Sequence, residues 1–405
     1  MKGRRIITPV FLFVAFTLFT CIDPYYPKLD NYQNLLVADA LITDENASYY
    51  VRLSRTTETP REAPAAVTGA LISVKDDQGN TAVFSEILAG IYKSDSLTFL
   101  GMAGRTYTLY IRTAEGREYE SEPATMQEGR DIDTITYAKD HETLDNGEIR
   151  EGLRIYIDAK DPTAGKYFRW KYEEWWKFSI PYPKTFVYID QNNIFDIPIT
   201  NVTCWKHNKS DEILIQSRGT GNSGDFIKKP VLFIPSQESN RLLIQYCIQV
   251  SQLSLTEKEY EFWDQMQQIN ESGGDIFDKQ PFPVITNIHS ISDPGEKVLG
   301  WFQVSSITRK RIYITRSDVR RLELLPYRYN CEMIFVSPAN FPGAIPPMTF
   351  DQVYSYYTSL NLTFIAPVKD ERGNALKELI FVDKYCADCT LSGSPNKPDF
   401  WVDLE

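Results

Sequence analysis

A chain of 405 residues with 43 Lys and Arg against 54 Asp and Glu carries a net charge of −11. That balance excludes a nucleic-acid protein of the usual kind, which needs clustered cations for phosphate contacts. With 42% hydrophobic and 13% aromatic residues the chain has ample material for packed cores, and its length fits about two or three domains.

The chain opens with Lys2, Arg4 and Arg5, then an almost unbroken apolar run from Ile6 to Phe19, then Thr20 and Cys21. This is the pattern of a secretory signal peptide whose cleavage site ends in a cysteine, so residues 1–20 are expected to be removed. The apolar run of about 14 residues is short for a membrane-spanning helix, which needs about 20. A lipoprotein peptidase needs the Cys21 thiol, because diacylglycerol is attached there before the cut. Each buried acyl methylene adds about 0.8 kcal/mol, so two or three chains would hold the protein at a membrane. Losing the leader removes three cations and no anions and takes the charge to about −14.

Residues 21–33 read as a short polar tether kept extended by Pro24 and Pro27, with Asp23 close to the anchor as a possible surface-export signal. From 34 to 138 the chain is predicted to form a small sandwich of immunoglobulin-like or transthyretin-like type. Its strands are expected at 35–41, 49–54, 70–75, 81–86, 90–93, 106–113 and 118–122, with a hairpin turn at 76–80. In the sixth of these, Tyr107, Leu109 and Ile111 share one face and Thr108, Tyr110 and Arg112 the other, the period of a sheet with one buried side. The charged stretch 139–151, with Asn146-Gly147 and no periodicity, marks the expected domain boundary.

A larger all-β domain is expected over 150–405. Leu153, Ile155 and Ile157 alternate with Arg154, Tyr156 and Asp158 until Asp161-Pro162. Phe168, Trp170 and Tyr172 then share a face expected to be core. Trp175, Trp176, Tyr182 and Tyr188 lie past the regular alternation, beside Pro181 and Pro183, and are expected to be exposed contact residues. Further strands are expected at 212–216, 231–234, 242–250, 298–305, 311–314 and 377–382. One helix, 254–272, is predicted from a capping box at Ser254-Leu255-Thr256-Glu257 and from Leu255, Phe262, Trp263, Met266 and Ile269 at helical spacing.

Gly219, Gly221 and Gly224 have the spacing of a dinucleotide loop, but Pro230 follows too soon for the phosphate-binding helix, so a loop is expected and no cofactor. His141, His207 and His289 have no metal-binding partner at helical spacing, and no Gly-x-Ser-x-Gly elbow occurs. No catalytic residue and no metal site is named, and the chain is not expected to be an enzyme. A hydrolase using a carboxylate pair is the weakest reading, because among 54 acidic residues no spacing singles out a pair. In an exported chain Cys204, Cys331, Cys386 and Cys389 are expected to form two disulfides. The alternatives are zinc held by Cys386 and Cys389 with Cys331, Cys204 or His207, or a free or redox pair. Cys247 sits in an apolar strand and reads as a buried thiol.

Several stretches together carry a family resemblance: Cys21-Ile22-Asp23-Pro24, Leu41-Ile42-Thr43-Asp44, Cys204-Trp205, Leu253-Ser254-Leu255 through Phe262-Trp263, Phe277-Asp278, Val298-Leu299-Gly300-Trp301-Phe302, and Cys386 to Cys389 with Pro398-Asp399-Phe400-Trp401. Over nearly the whole chain this resembles a family of Bacteroidota outer-membrane lipoproteins catalogued only as a domain of unknown function. Its members are often encoded beside TonB-dependent receptors of the SusC-like class. Cys247 departs from the family, where a small residue such as Ser is expected. The resemblance implies a lipid-anchored, surface-exposed accessory or binding subunit of such a receptor. The competing readings are a stand-alone glycan- or peptide-binding lipoprotein and, more weakly, the hydrolase.

Overall fold

In the computed structural model the described residues are 33–58, 62–95, 99–159, 167–217, 226–272, 285–373 and 375–404. The leader, Cys21, the tether up to residue 32 and the loop with Gly219, Gly221 and Gly224 lie outside them.

The fold is all-β, with few helices. The first stretch holds β1 (Leu36–Ile42), β2 (Tyr50–Arg55), β3 (Ala65–Ala66), β4 (Leu71–Asp76), β5 (Thr81–Leu88), β6 (Ile91–Ser94), β7 (Thr106–Arg112), β8 (Glu118–Ser121) and β9 (Ala124–Thr125). The second holds β10 (Thr134–Thr143), β11 (Ile149–Ala159), β12 (Tyr167–Ser179), β13 (Phe186–Asp190), β14 (Asn193–Asp196), β15 (Thr203–Lys209), β16 (Leu214–Ser217), β17 (Phe226–Pro235) and β18 (Gln245–Leu255). Helix α1 (Glu257–Ser272) follows, then β19 (Ile288–Ser290), β20 (Val298–Val304), β21 (Ile307–Thr315) and α2 (Arg316–Arg321). The last stretch comprises β22 (Ile334–Val336), α3 (Phe350–Ser359), β23 (Leu362–Lys369) and β24 (Leu376–Asp383).

The alternation read from the sequence forms the first core. Leu36, Ala38, Ala40 and Ile42 of β1 and Tyr107, Leu109 and Ile111 of β7 are buried, while the residues between them are not. The strands run β19-β8-β7-β4-β5-β6-β2-β1-β20 in an 11-stranded sheet that also takes β3 and β9. So this sheet recruits two strands from after α1, and β20 lies parallel to β1 with Ala38 opposite Gly300. The two ends of the path are joined by side chains: Asn287, 5% exposed, donates to the Phe302 carbonyl and accepts from the Phe302 amide, each at 2.8 Å. An asparagine amide thus stands in for a strand partner and covers an edge.

The stretch 139–151, which lacks periodicity, is not a linker between elements but part of the β10–β11 hairpin, paired from Thr134↔Asp158 to Thr143↔Ile149. Its polar residues pair across the hairpin, Asp140 with Arg154 and Glu142 with Arg150, so the stretch lacks an apolar stripe. With β17 this hairpin makes a small sheet that packs across a second core from the sheet β15-β12-β18-β21. A third, smaller core, with Val336, Val353, Phe364, Leu379 and Phe381, lies between β22-β24-β23, the β13–β14 hairpin and α3. Helix α3 is missed by the sequence reading. Thr349 and Gln352 form its capping box, hidden in a run so rich in Pro, Tyr and Phe that it offers no clear period.

Cys204 bonds Cys389 and Cys331 bonds Cys386, with Cα separations of 5.7 Å and 6.1 Å. The two cysteines of the Cys-x-x-Cys segment therefore reach apart, one to β15 and one to the segment before β22, and Cys247 remains a buried thiol.

Gly300 adopts φ +98, and a Cβ there would lie 2.0 Å from the Ala38 carbonyl oxygen. Gly300→Ala is expected to separate β1 from β20 and to cost at least about 2 kcal/mol. Urea unfolding checks this, with a lower midpoint at similar slope as the expected outcome. A wild-type midpoint would show that this close approach does not hold the two strands.

Candidate functional site

The cap of helix α1 lies two residues later than predicted, at Thr256 rather than Ser254. Ser254 and Leu255 stay in β18, paired with Phe168 and Tyr167, so the cap passes to the next hydroxyl. Thr256 Oγ1 accepts from the Glu259 amide at 3.3 Å, and Glu259 Oε2 accepts from the Thr256 amide at 2.9 Å. Glu259 Oε1 accepts from the Val304 amide at 3.1 Å, tying the helix start to the end of β20. Burial raises this carboxyl to about 7.

From that anchor α1 directs its aromatic face at β20. Phe262 stacks on Trp301 with centroids 5.0 Å apart, and Trp263 meets Phe262 edge-on. The Arg169 guanidinium of β12 lies 3.2 Å from the centre of the Trp263 ring, a close cation–π contact. Trp263 therefore separates two adjoining hollows. On one side a groove of about 500 Å³ is lined by Phe262, Met266, Ile269 and Trp301. On the other a polar cleft of about 380 Å³ is lined by Arg52, Tyr49, Tyr50, Lys171, Gln303 and Arg309. Asp39 and Trp263 border both.

The polar cleft gathers cations in an acidic protein. Arg169 is only 8% exposed; Gln303 Oε1 accepts from it at 3.3 Å, and its Nε has no acceptor among the described residues. Burial lowers its pKa to about 10, and burial with the nearby Arg169 charge lowers half-buried Lys171 to about 8. Arg309 is paired with Glu45 at the rim, and Asp39 is the carboxylate facing Arg169 and Lys171. The Nε1 atoms of Trp263 and Trp301 are also buried without an acceptor among the described residues. Buried donors and cations without matching acceptors make a region that favours negative charge.

The aromatic residues expected to be exposed are dispersed. Strand β12 keeps its alternation to residue 179, which places Trp176 with Phe168, Trp170, Tyr172 and Phe178 on the core face, 6% exposed. Its Nε1 donates to Asn240 Oδ1 at 3.0 Å, and Arg241 lies over its ring at 5.3 Å. Trp175 points to the opposite face, stacked on His207 at 4.7 Å and met edge-on by Phe400 of the C-terminal segment. Tyr188, 6% exposed, belongs to the third core, stacked on Tyr354 at 4.3 Å and donating to Asp351 Oδ1 at 2.6 Å. Tyr182 is half-buried beside the Cys386 segment, its amide bonded to the Cys386 carbonyl at 3.1 Å. Trp176 also borders a hollow of about 630 Å³ shared with Arg241, Tyr327, Tyr329, Tyr385 and the Cys331–Cys386 bridge. Arg169 and Lys171 were legible only as the polar half of an alternating strand, which reads as a solvated face. The helix and first sheet that cover that face come from far along the chain.

One family sequence model, described as "Domain of unknown function (DUF4249)", matches residues 22–311. The match ends within β21, so β22, α3, β23, β24 and the Cys386–Cys389 segment lie beyond it, while the β13–β14 hairpin of the third core lies within it. No curated protein matches the chain.

The raised Glu259 carboxyl makes stability depend on pH in a defined direction. Between its ordinary value of 4.5 and about 7 the folded chain keeps a proton that the unfolded chain has released. Stability from this residue is therefore full below about 4.5 and is lost as pH rises toward 7. Urea midpoints compared at about pH 5 and about pH 8 are expected to fall more for wild type than for Glu259→Gln, whose amide does not titrate. Equal changes in the two proteins would remove Glu259 as the cause.

Proposed function

The chain belongs to this family of unknown function, and from that premise we propose that it is a non-enzymatic, lipid-anchored binding protein of the outer membrane that serves as accessory subunit to a SusC-like TonB-dependent receptor. The observation that carries the binding role is the cleft around Arg169. A desolvated cation beside a half-buried lysine is costly unless negative charge arrives, and ligand sites are where such cost is repaid by binding. The signal peptide pattern ending at Cys21 supports the anchor, and the resemblance to lipoproteins encoded beside such receptors supports the partner. A stand-alone capture protein is the second reading, favoured by the hollow that Trp176 shares with three tyrosines.

Mild-detergent purification of the tagged protein from its native outer membrane tests the leading reading. A TonB-dependent receptor is expected to co-purify at near-equal amounts, and Cys21→Ala is expected to leave the membrane fraction. Recovery of the wild-type protein alone would favour the stand-alone reading instead, and membrane retention of Cys21→Ala would overturn the lipid anchor.

A further inference from the structure

The cleft and the groove beside it are continuous through Asp39 and Trp263, but they differ in chemistry. The cleft presents four cations, Arg52, Arg169, Lys171 and Arg309, against two carboxylates, Asp39 and Glu45, of which Glu45 is taken up by Arg309. The groove is walled mainly by Phe262, Trp263, Met266, Ile269 and Trp301, with Asp211 and Asn270 as its polar members beside the shared Asp39. A small hydrophilic anion would leave the groove unfilled, and a neutral apolar molecule would leave the cations uncompensated. Only a molecule with both parts matches both walls. We propose that this site takes an amphiphilic anion, with a carboxylate or phosphate head among Arg52, Arg169 and Lys171 and an apolar body along Phe262, Met266 and Trp301.

This rests on the reading of the cleft as a ligand site and adds the class of ligand. The two hollows, about 380 Å³ and about 500 Å³, have room for a head group and a chain or ring system respectively. Transfer of the apolar body from water supplies the main driving force, while the cations select the head. Because Trp263 forms the partition, a ligand spanning both hollows touches its indole, and its fluorescence reports binding.

Titration calorimetry and tryptophan fluorescence on the full chain test the proposal with four probes below their micelle concentrations: dodecanoate, dodecyl phosphate, dodecanol and butyrate. At least one of the two long anions is expected to bind roughly tenfold or more tightly than either dodecanol or butyrate. Lys171→Met, which keeps the buried stem and removes the charge, is expected to weaken that binding by roughly tenfold. Arg52→Met, at an exposed position, provides a second loss of charge without risk to the core. Met266→Gln, which makes the groove wall polar without adding charge, is expected to weaken the long anions more than butyrate. Butyrate binding as tightly as dodecanoate would overturn the amphiphile and leave the anion site standing. Dodecanol matching the anions would overturn the head-group assignment, and no binding by any probe would overturn both this inference and the ligand-site reading of the cleft.

Discussion

The architecture turns on the passage from β20 to β21. β20 is the parallel partner of β1 in the first sheet, and β21 is the antiparallel partner of β18 in the second. Only Ser305 and Ser306 lie between them, and both are fully buried. The Ser305 amide donates to the Ile42 carbonyl at 3.0 Å, the Ser254 amide to the Ser306 carbonyl at 3.1 Å, and the Ile307 amide to Asp44 Oδ1 at 2.9 Å. Two of these bonds join the passage to β1 and the turn that follows it and the third joins it to β18, so the crossing holds the two sheets in one arrangement. The cleft is built across this crossing. Asp39 and Arg52 come from the first sheet, Arg169 and Lys171 from β12, and Gln303 and Arg309 from the two sides of the passage itself.

This explains why some of the fold was legible in the sequence and some was not. β1, β4 and β7 are half-buried strands whose alternation is a local signal, and they lie where the pattern placed them. β20 was legible as a strand, but its parallel pairing with β1 spans more than two hundred residues and leaves no mark on either segment alone. The helix cap slipped because two overlapping motifs, Ser254 to Glu257 and Thr256 to Glu259, satisfy the same rule. Tertiary pairing of Leu255 with Tyr167 decides between them.

The site was less legible than the fold for a related reason. Large aromatics beyond a regular stretch invite a surface reading, yet β12 extends through Ser179 and takes Trp176 into the core. Trp175 is covered because the segment carrying Phe400 and Trp401 folds back, its Ser394 exchanging backbone hydrogen bonds with Trp205 at 2.8 Å. The residues that do gather in one cleft, Arg169, Lys171 and Trp263, looked ordinary in sequence: two cations on the polar half of a strand and one aromatic on a helix.

Burial alone does not make a charge functional, and β12 supplies its own control. Glu174, with its side chain almost fully buried, accepts from Tyr246 at 2.8 Å and from Asn208 at 2.9 Å and pairs with Arg241 at 3.0 Å. Its charge is answered three times from within the protein, which is the condition for a buried ion to be structural. Arg169 lies on the opposite face of the same strand, with one amide oxygen at 3.3 Å and an indole ring beneath it. Asp39 attracts it across the cleft while also facing Lys171, and Glu259 attracts it from the helix start with its own oxygens committed to the Thr256 and Val304 amides. A cation held in this way keeps unused capacity for an anion. On one strand, the compensated charge belongs to the scaffold, and the undercompensated one lines the cleft proposed to take an anion.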